Sequence, residues 1–85
     1  MTLEEVRARI KDAIAKVSKI DPQKIRDHDS FRENLGMDSL SILEAIVEVQ
    51  RRFKIPEVSD EEYARTRTLD DAVELVEKYL GLQAV

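Results

Sequence analysis

Asp38-Ser39-Leu40-Ser41-Ile42-Leu43-Glu44-Ala45-Ile46-Val47-Glu48-Val49-Gln50-Arg51-Arg52-Phe53 reads as one helix from about Ser39 to Phe53. Asp38 is a good N-cap, because its short carboxylate can accept from a backbone N–H that the first helical turn leaves unpaired. The apolar residues from Leu40 to Phe53 cover much more than one stripe of the helix. Such a helix is central to a bundle, or it keeps an apolar face for something else.

Upstream, Leu3, Val6, Ile10, Ala13, Ile14 and Val17 are spaced by three and four, which predicts a helix over about 3–17. Thr2 and Glu5 form a capping box at its start. Asp21-Pro22 ends it, since proline cannot continue a helix and restricts the residue before it. The connection from about 18 to 37 is long for a compact domain. Ile25, Phe31 and Leu35 are expected to pin it to the core. Ser30-Phe31-Arg32-Glu33 is a further capping box that can open a single turn, with Gly36 closing it in a left-handed conformation.

Downstream, Ile55-Pro56 ends the central helix. Ser59-Asp60-Glu61-Glu62 predicts a short helix to about Arg65, again behind a capping box. Thr68-Leu69-Asp70-Asp71 opens the last helix, with Leu69, Ala72, Val73, Val76, Tyr79 and Leu80 on its core side and Gly81 as its C-cap. No run alternates with period two for long enough to suggest a sheet. The expected architecture is all-α: a small four-helix bundle of three longer helices and a short one, with a long loop between helices 1 and 2. Residues 1–81 are expected to form the domain, and 82–85 a short tail.

The chain has 85 residues, enough for one small domain. At 42% hydrophobic and 38% charged, it has both a core and a well-solvated surface. There is no Cys, so disulfide scaffolds, thiolate zinc sites and thiol nucleophiles are excluded. The net charge of −4 and pI of about 5.0 disfavour nucleic acid and suit a partner with a basic surface. No stretch is long and apolar enough for stable membrane insertion, and no signal-peptide pattern is visible. A cytoplasmic monomer is the expectation.

Enzyme readings fail on inventory. The single His, His28, lies between Asp27 and Asp29 in a polar loop and reads as a solvated side chain. With one His and no Cys, neither a Ser-His-Asp triad nor a usual zinc site assembles within the chain. Asp60-Glu61-Glu62 reads as first-turn acids matched to a helix dipole, not as a cation site, and no metal site is expected. Arg51, Arg52 and Lys54 suit the C-terminal end of the central helix for the same electrostatic reason, with a phosphate or partner contact as the alternative. Ser39 remains. It stands at the first position of a helix, behind a capping Asp and a flexible Gly, where a phosphodiester would meet a favourable field. On these physical points alone it reads first as a member of the N-cap, since serines at helix starts are common.

With its flanks, Ser30-Phe31-Arg32-Glu33-Asn34-Leu35-Gly36-Met37-Asp38-Ser39-Leu40 resembles the attachment region of acyl carrier proteins. A Phe, a Leu-Gly pair and Asp-Ser-Leu recur in that family at this spacing. The resemblance runs on through Leu43-Glu44, Phe53, Ile55-Pro56 and the acidic short helix to Thr68-Leu69 and the last helix. It implies that a phosphopantetheinyl transferase moves a 4'-phosphopantetheine arm from coenzyme A onto Ser39. The terminal thiol of the arm then carries acyl groups as thioesters. It also implies a carrier with no catalysis of its own, serving fatty-acid, polyketide or specialised lipid biosynthesis. Acyl-loading, condensing and acyl-transferring enzymes with basic patches would dock on Met37, Asp38, Leu40, Glu44 and Glu48. Leu43, Ile46, Val47 and Val49 become candidates for a cleft that shelters the acyl chain.

The sequence departs from many fatty-acid carriers in two places. Ser41 stands where an acid directly follows Asp-Ser-Leu, and Gln50, Arg51 and Arg52 stand where acids often close this helix. A carrier dedicated to one synthase or lipid-modifying pathway fits this pattern at least as well as a general one. Two other readings compete. An aminoacyl or aryl carrier tends to show a second Gly where this chain has Met37-Asp38, so the Asp favours acyl cargo. A helical interaction module without an arm would differ in leaving Ser39 unmodified.

Overall fold

The computed structural model describes residues 2–81, so the tail expected at 82–85 lies outside the described residues. Four α-helices are present among them: α1 (Leu3–Ser18), α2 (Ser39–Phe53), α3 (Asp60–Arg65) and α4 (Leu69–Leu80). There is no strand among the described residues; the one β-type pairing is an isolated bridge between Ser30 and Thr68.

The starts of these helices lie where short polar side chains can take orphan N–H groups. Thr2, Ser59 and Thr68 each form a reciprocal capping box, with Glu5, Glu62 and Asp71 respectively. Asp38 caps α2 by accepting from the Ser41 N–H at 2.8 Å. Each such cap is worth about 1 kcal/mol. The ends are less regular. Gly81 closes α4 at φ +70°, as glycine readily does, whereas α1 and α2 end on Lys19 (φ 60°) and Lys54 (φ 55°) in the same left-handed region.

α1 packs against both α2 and α4. Val6, Ile10, Ile14, Leu69, Val73 and Val76 are all but inaccessible at the centre of the core. Burying each of these side chains contributes about 1.5–3 kcal/mol before the opposing entropy is counted. α2 turns Ile42, Ala45, Ile46, Val49 and Phe53 inward. Tyr79 and Leu80, expected on the core side of α4, are only half-buried, while Leu75 is buried.

The long connection is ordered by pairing. Ile25 and Phe31 are buried, as expected, and Leu35 packs at the edge of the core. Asp21 and Pro22, which the sequence marks only as a helix stop, also open a 3₁₀ turn, Pro22–Lys24. The Phe31 N–H donates to the Arg67 carbonyl at 2.9 Å, and the Asp70 N–H donates to the Asp27 carbonyl at 2.9 Å. These bonds tie the loop to the α3–α4 junction and give some of its backbone groups partners outside any α-helix. The turn at Ser30 forms, with the Ser30 hydroxyl accepting from the Glu33 N–H at 3.2 Å. Its reciprocal partner is not Glu33, however. The Asn34 side chain accepts from the Ser30 N–H at 2.7 Å. Gly36 ends the turn at φ +64°, where a side chain would be strained.

Candidate functional site

Ser39 is exposed at the first position of α2. Two side chains from elsewhere in the chain meet it. Arg32, on the loop before α2, donates from Nη2 to the Ser39 Oγ at 2.8 Å. Tyr63, on α3, donates its hydroxyl to the Ser39 carbonyl oxygen at 3.1 Å. The Asp38 carboxylate beside them is held below the usual carboxylate range, first by accepting from the Ser41 N–H and in small part by the charge of Arg32. Neither Arg32 nor Tyr63 was singled out in the sequence. Nothing in local spacing shows that a residue seven before Ser39, or twenty-four after it, folds back onto it.

An open groove of about 440 Å³ begins at Ser39 and runs between α2 and the segment leading into α3. Leu40, Leu43, Ile46 and Val47 line its α2 wall, with Val58 and Tyr63 opposite. Leu40, Leu43 and Val47 are 63%, 48% and 44% exposed, which is unusual for large apolar side chains in so small a core. The excess apolar surface of α2 noted in the sequence is therefore real, and it faces this groove. A second groove of about 490 Å³ shares Tyr63 with the first and is also lined by Arg32, Ile42, Thr66 and Arg67 among others.

The expected site residues divide. Leu43, Ile46 and Val47 share the groove with Ser39. Val49 does not; it is buried on the core side of α2, three and seven residues from Ile46 and Ile42, where the helical period puts it. Met37, expected on a docking face, is 5% exposed and belongs to the core. Its N–H donates to the Phe31 carbonyl at 2.8 Å, so the tightly closed loop turns this side chain inward. Asp38, Leu40 and Glu44 are exposed on the outer side of the site.

Glu48 is engaged within the fold. It accepts from Arg52 Nε at 2.9 Å, and Lys16 and Arg51 lie at 3.6 and 3.7 Å. The Arg52 hydrogen bond holds its carboxyl below the usual range. Arg52 also reaches Asp12 on α1 at 2.7 Å, so this member of the basic cluster joins α1 to α2 instead of offering a free anion site. His28 is exposed and places Nδ1 2.6 Å from Asp70, whose other carboxylate oxygen takes Arg7 at 2.7 Å. Among the described residues there is no group of side chains suited to hold a metal ion, and no helix long and apolar enough to cross a membrane.

These features can be set beside known proteins. A family model described as phosphopantetheine attachment site matches residues 8–76. The chain is 32% identical over 73 residues to an acyl carrier protein of Bdellovibrio bacteriovorus, covering 86% of this chain and 92% of that protein. It is 33% identical over 79 residues to an acyl carrier protein of Chloroherpeton thalassium, covering 92% of this chain and 98% of its relative. It is 35% identical over 78 residues to the meromycolate extension acyl carrier protein of Mycobacterium leprae, covering 92% of this chain and 67% of that one. A match over most of the chain, on a helical fold of the expected order, shows that this protein belongs to the acyl carrier protein family of phosphopantetheine-bearing carriers.

Proposed function

We propose that Ser39 is the residue that bears the phosphopantetheine arm, and that the groove beside it shelters the acyl cargo. One observation carries the reading: an exposed hydroxyl at a helix start opens directly onto a groove walled by Leu43, Ile46 and Val47. The residues fit the group. Ser39 Oγ is open to an incoming phosphoryl donor, the start of α2 favours an anion, and Arg32 supplies a cation at the same oxygen.

When bound, the arm supplies a terminal thiol on which acyl groups are held as thioesters. The chain's own residues do the rest. Asp38 caps α2 and thereby fixes where Ser39 points. Tyr63 ties α3 to the same residue and forms one wall of the groove. Exposed Leu43 and Val47 exclude water from an apolar chain laid along them. Tethering of the cargo raises its effective concentration at each partner's active site.

The chain then acts as a carrier with no catalysis of its own, in fatty-acid or related lipid synthesis. Its partners are a phosphopantetheinyl transferase and acyl-handling enzymes whose basic patches approach Asp38, Leu40 and Glu44. The engagement of Glu48 with Arg52, together with exposed Arg51, makes the far end of α2 less acidic. That supports a dedicated set of partners over a general one. The apolar groove favours acyl over aminoacyl cargo.

The test is intact mass after incubation with coenzyme A and a broad-specificity transferase. Wild type is expected to gain one phosphopantetheine and Ser39→Ala none. If wild type gains no mass, or Ser39→Ala gains it equally, the chain does not carry an arm at this serine.

A further inference from the structure

Arg32 donates to Ser39 Oγ across a closed loop, and this contact gains little where it stands. Both side chains are exposed, and the acceptor is a neutral hydroxyl in competition with water. The net gain of an exposed bond is small because water competes for both partners, and the entropy lost in ordering a long Arg side chain opposes it. Among the described residues no carboxylate pairs with Arg32, as is also true of Arg9, Arg26 and Arg67, whereas Arg51 and Arg65 each have one and Arg7 and Arg52 each have two. Its guanidinium is a planar fork of five donors, matched to the paired oxygens of a phosphate and poorly used by one hydroxyl.

Position and charge both give the fork a better use. Ser39 Oγ is the atom that becomes the bridging oxygen of a phosphodiester. The anionic oxygens of that group would lie two bonds beyond the atom that Arg32 already touches, across the phosphorus. Asp38 precedes it with an ionised carboxylate committed to the Ser41 N–H, so attachment sets a second negative charge beside the first. Two anions this close repel unless a cation stands with them. Arg32 is a cation already at that place, brought there by the turn that Gly36 closes.

We propose that Arg32 is a positioning residue for the arm: its guanidinium pairs with the Ser39-linked phosphodiester and restrains the root of the arm beside α2. The inference rests on the reading that Ser39 is the attachment residue. Arg32 also lines the second groove, which shares only Tyr63 with the apolar one.

The experiment loads wild type, Arg32→Gln and Arg32→Lys from coenzyme A with a broad transferase, and checks each by intact mass. Failure of wild type to load strikes the attachment reading, and is seen before Arg32 is tested at all. The phosphorus-31 NMR resonance of each loaded protein is then recorded at low and high salt. The loaded wild-type resonance is expected to be displaced from that of Arg32→Gln at low salt. It should move toward it as salt screens an exposed pair. Arg32→Lys, which keeps the charge and loses the fork, should fall between them. The Arg32 Nε–H resonance should also shift between unloaded and loaded wild type. Coincident phosphorus resonances in loaded wild type and Arg32→Gln at low salt overturn the proposal. Because Arg32 is exposed, the variant is expected to fold, and the melting temperatures of the unloaded proteins check this.

Discussion

The Tyr63 hydroxyl donates to the Ser39 carbonyl oxygen at 3.1 Å, joining the middle of α3 to the first residue of α2. α3 has six residues, and none of them is buried. So short a helix has little propensity to form alone. Its position depends on side-chain tethers of this kind. The tether also shapes the site, since Tyr63 lines both grooves, one of which begins at Ser39.

Tyr63→Phe removes this bond and keeps the ring. The expected loss is at the low end of about 0.5–1.5 kcal/mol, because the bond is exposed. In a domain of this size that lowers the melting temperature by a few degrees. Amide exchange in α3 should rise more than in α1. Equal exchange in α3 of the two proteins would mean that Tyr63 does not hold the helix.

Met37 separates packing from docking. Its side chain is buried with Phe31 and Phe53 in one core cluster. Met37→Ala is expected to lower stability by about 2–5 kcal/mol, as truncation of a packed core residue does. Denaturant unfolding measures it. A stability near that of wild type would return Met37 to the surface role that its place beside Asp38 suggests in the sequence.

Glu62 gives the fold an acid-sensitive joint. Its carboxylate accepts from the Tyr79 hydroxyl at 2.6 Å and from Lys78 Nζ at 2.9 Å, both on α4, besides capping α3 at Ser59. The Tyr79 hydrogen bond first, and Lys78 next, lower its pKa from 4.5 to about 2. A carboxyl depressed on folding stabilises the protein above its unfolded value and loses that contribution as pH falls through the folded one. Thermal melts of wild type and Glu62→Gln should therefore differ most at neutral pH. The gap should shrink below about pH 4.5 and close near pH 2. A gap that stays constant from neutral pH to pH 2 would show that ionisation of Glu62 plays no part.

The helices were largely legible because their signals are local. Thr2 with Glu5, Ser59 with Glu62 and Thr68 with Asp71 are capping pairs three residues apart, and all three form. Such a pair specifies a helix start from within its own turn, whatever the rest of the chain does. The 3₁₀ turn at Pro22–Lys24 was missed, since Asp21-Pro22 stops one helix and starts a turn by the same chemistry. Asn34 was missed as the partner of the Ser30 N–H because Glu33 fits the usual spacing better.

By itself the sequence determined the order and limits of the four helices and the start of α2 at Ser39. It also determined, by the lack of Cys, that the chain supplies no thiol of its own. These follow from composition and from contacts within a turn or two. Only the tertiary structure decided which way Met37 points and which of the apolar residues of α2 face a groove. It alone brought Arg32 and Tyr63 to Ser39 and joined Glu62 to Tyr79. The reason is physical. These pairings depend on how the long loop and α3 settle against α1, α2 and α4. That arrangement is set by burial summed over the whole core, which no local spacing encodes.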